Sequence, residues 1–125
     1  YQQLYLIRKH IEKRKIKSKI IECKTMRENN GLACSSRNVN LNKNQMKIAS
    51  NIFHYLKNLK KKIKKNYLLF NVNKIKKDLI NLGASKIDYI ENYNIKSFKK
   101  IKKPNKKFNL FFAYYIKNTR LIDNI

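Results

Sequence analysis

Tryptophan is absent from this chain of 125 residues, proline occurs once, glycine and cysteine twice each, and only seven positions are acidic. Each scarcity closes a class. Two glycines and one proline exclude collagen-like chains and flexible linkers, which are built from those residues. Two cysteines cannot staple a small disulfide scaffold. Cys23 and Cys34 also lack a Cys-x-x-Cys partner or a nearby histidine pair, so they read as free thiols and no metal site is expected. No apolar run approaches the roughly 18–20 residues needed to span a bilayer. The opening Tyr1-Gln2-Gln3-Leu4 has no charged stretch leading into an apolar one, so no signal peptide is expected. The absence of an initiating Met suggests a fragment.

What is present is lysine, asparagine and isoleucine, at 26, 18 and 17 positions. Hydrophobic residues make up 42% and aromatics 11%, more than a disordered polycation carries. The length suits one domain with a real core. The net charge of +24 suggests a nucleic-acid partner. Yet the cations are 26 Lys against five Arg, whereas phosphate and guanine recognition favours the planar fork of arginine. Lys, Asn, Ile, Tyr and Phe all have A+T-rich codons, so mutation pressure accounts for the same composition. A Lys-rich nucleic-acid-binding module, such as a ribosomal accessory protein, stands as the alternative reading.

Periodicity gives a coarse map. Leu4, Ile7, Ile11 and Tyr5 share one side of a helix over residues 4–16. Lys15 to Glu22 reads as a short strand with a partly buried face. Asn29-Asn30-Gly31 is a turn, and Gly31 to Asn38 a loop. Asn42 with Gln45 resembles a capping box. Ile48, Ala49, Ile52, Phe53, Leu56, Leu59 and Ile63 follow at helical spacing, with a basic end at Lys60 to Lys65. A second helix is expected over residues 72–82, with Val72, Ile75, Leu79 and Leu82 inward and Gly83 as its stop. Ile87 to Glu91 and Phe108 to Ile116 predict strands. Lys117-Asn118 is a turn into Thr119-Arg120-Leu121-Ile122 as an antiparallel neighbour. Ser97 to Lys107, with Pro104, reads as a basic loop, and Lys60 to Lys65 and Lys99 to Lys107 read as solvated faces.

Four segments, in order, carry a resemblance that covers essentially the whole chain. Tyr1-Gln2-Gln3-Leu4 with Ile7-Arg8 comes first. Thr25-Met26-Arg27-Glu28 leads through the turn into Leu32-Ala33-Cys34-Ser35-Ser36-Arg37-Asn38. Asp88-Tyr89-Ile90-Glu91 and Thr119-Arg120-Leu121-Ile122-Asp123-Asn124 follow. The set resembles the carboxyl-terminal portion of the pantoate–β-alanine ligase (pantothenate synthetase) family. That resemblance implies an α/β fold: residues 1–39 as the incomplete end of a Rossmann-like ATP- and pantoate-binding domain, and residues 40–125 as a small α+β domain of two helices and an antiparallel sheet. The implied reaction condenses pantoate with β-alanine through a pantoyl-adenylate, giving pantothenate, AMP and diphosphate.

The resemblance also implies roles. Cys34, Ser35, Ser36 and Arg37 would close over ATP, with Ser35, Ser36 and Arg37 taking part in the chemistry. Met26 would contact the adenine through its main chain, and Gln3 would bind pantoate through its amide. Mg2+ would ride mainly on the ATP phosphates. The enzyme would be a cytoplasmic homodimer with no specific nucleic-acid or membrane partner. On residues alone, Ser35-Ser36-Arg37 is an ordinary polar turn and Gln3 a solvated helix residue. His10 and His54 have no carboxylate or cysteine at ligand spacing, and Asp88 and Glu91 are not a paired acid/base arrangement. Lys24, Asn30 and Cys34 depart from the family's usual Pro, Asp and Met or Leu. The family's His-x-Gly-His and Gly-Glu-Lys-Asp motifs would lie before Tyr1, so the 125 residues alone are expected not to catalyse the reaction.

Overall fold

The longest element begins where Asn42 predicts it. In the computed structural model, which describes residues 1–101 and 107–125, the Asn42 carbonyl Oδ1 accepts from the Gln45 N–H at 2.9 Å, and Gln45 Oε1 accepts from the Asn42 N–H at 2.8 Å. Helix α2, Lys43–Lys65, follows. Its apolar stripe buries Ala49, Ile52, Phe53, Leu56 and Ile63, while Ile48 and Leu59 are half-buried. Lys62, Lys64 and Lys65 end it, where cations meet the negative end of the helix dipole. After a 3₁₀ turn over Tyr67–Leu69, Asn71 Oδ1 caps the next helix by accepting from the Lys74 N–H at 3.0 Å. This is α3, Val72–Asn81, which buries Ile75 and Leu79. Gly83 ends the turn at φ +107, a conformation that favours glycine, with Ile48 Cδ1 only 3.0 Å from where a Cβ would stand.

Three antiparallel strands complete the second layer in the order β1 (Lys86–Asn94), β2 (Phe108–Ile116) and β3 (Thr119–Asn124). The run of aromatic and apolar residues that predicts β2 places it at the sheet's centre. One face of β2, Phe108, Leu110, Phe112, Tyr114 and Ile116, joins α2 and α3 in the core. The opposite face is covered too, because Phe111 packs beneath the rings of Tyr1, Tyr93 and Phe98. Burial pushes the Tyr114 phenol well above its usual range. The register pairs Ile87 with Tyr114 and Tyr89 with Ala113, leaving Asp88 as an extra residue in a bulge. Its carboxylate accepts from Arg120 Nε at 2.6 Å on β3. The predicted turn holds: Lys117 takes φ +50 and donates its N–H to Ser85 Oγ at 2.8 Å.

The amino-terminal end differs. Helix α1, Gln2–Arg14, has no buried residue, and Leu6 and Ile7 are 63% and 52% exposed. It is held at the β1 side by its aromatics. The Tyr1 hydroxyl donates to the Ile95 carbonyl, the Tyr5 hydroxyl to that of Ser97 at 3.2 Å, and the Tyr5 ring stacks on Phe98 at 4.8 Å. Lys15 ends the helix at φ +52. The strand expected over Lys15 to Glu22 does not form. A strand is stabilised by a paired neighbour, and among the described residues none pairs with this segment, whose Ile16 and Ile21 are exposed. The Ser97 to Lys107 loop is described at its edges. Lys100 bridges back to Tyr93, and residues 102–106, with Pro104, lie outside the described residues. No helix among the described residues is long and apolar enough to cross a membrane.

Candidate functional site

The Ser35–Arg37 segment is set up by the hairpin before it. Asn30 Oδ1 accepts from the Leu32 N–H at 3.0 Å, and Gly31 turns the chain at φ +88. A Cβ on Gly31 would lie 2.5 Å from Phe53 Cε1, so the turn sits directly on α2. The Ser50 hydroxyl donates to the Asn30 carbonyl at 2.8 Å, and Leu32 is buried. The two arms are joined by the Glu28 N–H to the Leu32 carbonyl at 2.8 Å and the Cys34 N–H to the Met26 carbonyl at 3.0 Å. Ser35 then caps a 3₁₀ turn, Ser36–Asn40, its Oγ accepting from the Arg37 N–H at 3.2 Å. Asn38 closes the segment from below. Its Nδ2 donates to Glu28 Oε1 at 2.6 Å and to the Ala33 carbonyl at 3.0 Å. Its Oδ1 is buried without a hydrogen-bond partner among the described residues.

This segment faces the carboxyl-terminal strand across a notch of about 170 Å³. Cys34, Ser35, Arg37 and Asn38 line one side, and Arg120 and Asp123 of β3 the other. Two segments singled out far apart in the sequence therefore meet. At about 170 Å³ the notch is smaller than the roughly 300–1,000 Å³ of ordinary ligand pockets and does not by itself enclose a nucleotide. Among the expected site residues, Cys34, Ser35 and Arg37 come together here. Ser36 is adjacent and exposed but does not line the notch. Met26, 76% exposed at the start of the hairpin, and Gln3, exposed on α1, do not line it either.

Charge partnering separates these residues from the lysine background. All seven carboxylates have partners: Glu12 with Lys9, Glu22 with Arg8, Glu28 with Asn38, Asp78 with Tyr55, Asp88 with Arg120, Glu91 with Lys100 and Asp123 with Arg27. Burial and the bond to Asp78 push the Tyr55 phenol well above its usual range. Arg8, Arg27 and Arg120 are thus ion-paired, and Arg14 ends α1 away from the notch. The Arg37 guanidinium has no protein partner among the described residues and stands exposed at the notch. A planar cation with free donors beside two serine hydroxyls can bind a phosphate-bearing ligand bidentately. No group of three or more His, Cys, Asp or Glu residues suits a metal ion among the described residues. Cys23 and Cys34 are exposed free thiols, and His10 and His54 are exposed.

Two features escape the sequence reading. Lys60 is not a solvated lysine. It is half-buried and donates from Nζ to Asn109 Oδ1 at 2.9 Å, and burial lowers its pKa to about 8. Arg27 and Asp123 carry no role in the sequence reading, although both lie in segments that carry the resemblance. The usable signal is scarcity, because an arginine and a carboxylate stand out against 26 lysines.

A polar loop segment thus sits against the edge strand of a small α/β fold with a three-stranded antiparallel sheet. A family model described as Pantoate-beta-alanine ligase matches residues 1–125, and the chain belongs to that family. It is 39% identical over 129 residues to the pantothenate synthetase of Endomicrobium trichonymphae, covering 100% of this chain and 44% of that protein. It is 37% identical over 128 residues to that of Caldicellulosiruptor saccharolyticus, covering 99% and 45%. The chain spans about half the length of the curated relatives it matches. A crystal structure of the Francisella tularensis pantoate-beta-alanine ligase, complexed with beta-gamma ATP and beta-alanine, aligns at TM-score 0.68 and 32% identity over 100% of this chain and 40% of that one. The Thermus thermophilus pantothenate synthetase shares the fold at TM-score 0.78 and 22% identity, over 100% and 46%. These matches give no support to the nucleic-acid-binding alternative.

Proposed function

We propose that the chain is the carboxyl-terminal portion of a pantothenate synthetase that condenses pantoate with β-alanine, using ATP, through a pantoyl-adenylate. Residues 1–39 are read as the end of the ATP- and pantoate-binding domain and residues 40–125 as the small domain. The sparse burial of residues 1–39 supports this division, since α1 contributes nothing to the core. The single observation that carries the reading is Arg37, exposed at the notch and unpaired among the described residues, while Arg8, Arg27 and Arg120 are each held by a carboxylate.

In this reading Ser35 and Ser36 offer donors to the phosphates, and Arg37 supplies a fixed planar charge as the adenylate forms and diphosphate leaves. Cys34 belongs to the same ATP-facing segment. Met26 meets the adenine through its backbone, and Gln3 holds pantoate by its side-chain amide. Mg2+ is read as riding mainly on the ATP phosphates, in keeping with carboxylates here that each already have a protein partner. The full-length enzyme is read as a cytoplasmic homodimer.

The test is Arg37→Ala in the full-length chain. Loss of one charge-stabilising group of this kind lowers turnover by about 10²–10³, and the exposed position leaves the melting temperature nearly unchanged. Wild-type turnover in that variant removes the assignment. The 125-residue chain alone is expected to form no pantothenate from pantoate, β-alanine and ATP.

A further inference from the structure

The most buried of the described ion pairs joins residues without a role so far. Arg27 and Asp123 have side chains only 24% and 10% exposed. They are 96 positions apart, yet the guanidinium meets the carboxylate as a two-pronged fork, Nη1 to Oδ2 at 2.6 Å and Nη2 to Oδ1 at 3.1 Å. Nη1 also donates to the Gly31 carbonyl at 3.1 Å and Nη2 to that of Asn124 at 3.2 Å. The guanidinium carbon lies 4.5 Å from the centre of the Phe53 ring. One side chain therefore ties β3, its own hairpin and α2 together.

The hairpin passes that constraint to the ATP-facing segment. The Cys34 N–H bond to the Met26 carbonyl and the Glu28 N–H bond to that of Leu32 flank Arg27 and lock the two arms. Ser35 follows Cys34 directly. From the other end, Asn38 is bonded to Glu28, the neighbour of Arg27. Ser35–Arg37 is thus strung between two anchors, one of which runs through Arg27 to β3. Lysine at position 27 would give a point contact, whereas the arginine fork fixes an angle as well as a distance. In a chain that uses lysine for 26 of its 31 basic positions, that choice is informative.

We propose that Asp123 is a positioning residue for the nucleotide-binding segment, acting through its fork with Arg27 to hold Ser35–Arg37 where the triphosphate is received. The proposal rests on the reading of Ser35–Arg37 as the ATP segment and adds the residue on the opposite wall of the notch that orients it. Asp123 itself touches no substrate in this account.

Asp123→Asn keeps the side chain's size and removes its charge. In the full-length chain the variant is expected to raise the KM for ATP about tenfold while the KM for β-alanine stays within about twofold. Arg27→Lys, which keeps the charge and loses the fork, moves the KM for ATP in the same direction. Asp123→Glu restores most of the ATP affinity. An unchanged KM for ATP in both Asp123→Asn and Arg27→Lys, with lowered melting temperatures, makes the pair a structural contact and overturns the proposal. Equal losses for ATP and β-alanine overturn it too. If Asp123→Asn does not fold, Arg27→Lys decides alone. Arg37→Ala, run alongside, separates the two readings. Full turnover there removes the ATP assignment itself, whereas a crippled Arg37→Ala beside normal ATP kinetics in the pair variants removes only the role of Asp123.

Discussion

Residues 1–40 and residues 41–125 are built on different physical terms. The first segment buries one apolar side chain, Leu32, and one polar one, Asn38, and leaves Leu6, Ile7, Ile16, Ile21, Met26 and Val39 exposed. The second carries nearly the whole core, from Leu41 through Ile52, Leu56 and Leu79 to Phe112 and Leu121. What attaches the first to the second is polar and aromatic: Tyr1 and Tyr5 on the Ile95–Phe98 turn, Arg27 on Asp123, Ser50 on Asn30. Hydrophobic packing is non-directional, whereas hydrogen bonds and ion pairs specify geometry. The proposed site residues lie on the part of the chain whose placement is specified by geometry, and the sheet and helices supply the body it is placed against.

The contrast is broken most directly by truncating a core side chain. Leu56, fully buried between α2 and the sheet, is expected to cost about 2–5 kcal/mol as Leu56→Ala, from lost transfer energy and the cavity left behind. In the 125-residue chain Leu6→Ala, at a position 63% exposed, should stay within about 0.5 kcal/mol. Urea denaturation of both variants checks the pair. Similar losses at the two positions would erase the distinction between the segments.

Gly31 sharpens it from the other side, because it belongs to the sparsely buried segment yet touches the core. Gly31→Ala adds a Cβ into the Phe53 ring, 2.5 Å away, at a φ of +88. Overpacking and left-handed strain together predict a loss of about 2–3 kcal/mol. Displacing Phe53 also disturbs the ring on which Arg27 lies. Thermal unfolding measures the loss, and a neutral substitution would mean that the hairpin rides on α2 more loosely than its geometry indicates.

Legibility in the sequence follows the same division. The α2 capping box, its apolar stripe, the stop at Gly83 and the whole of β2 are local patterns, and the structure carries them where periodicity places them. The failures are non-local. Lys15 to Glu22 has strand-like residues but pairs with no strand among the described residues, and pairing is decided by the rest of the fold. Arg27 and Asp123 meet across 96 positions, and nothing near either one announces the other. Ser35 and Arg37 are named from a resemblance. Their meeting with Arg120 and Asp123 across a notch is a tertiary fact that no window on the sequence contains.

The smallest effect concerns the lysines, which the sequence presents as one solvated class. Lys60 differs from its neighbours Lys61 and Lys64 because it is half-buried against Asn109 and the Phe108 ring, 5.8 Å from the ring centre. Desolvation first, and the nearby Lys64 charge second, lower its pKa from 10.5 to about 8. Between those values the unfolded chain holds the proton more tightly than the folded one, so stability rises as pH climbs from about 8 towards 10. Above the usual phenol range the sign reverses, because burial raises the Tyr55 and Tyr114 phenols in the folded state and the unfolded chain loses those protons first. Solvent screening of a half-exposed ammonium limits the gain to roughly a few tenths of a kcal/mol. Lys60→Met, which keeps the aliphatic stem and removes the charge, should flatten that rise, whereas Lys61→Met should leave it intact. Urea midpoints taken at intervals across the window read both outcomes, and an equal response from the two variants would return Lys60 to the solvated class.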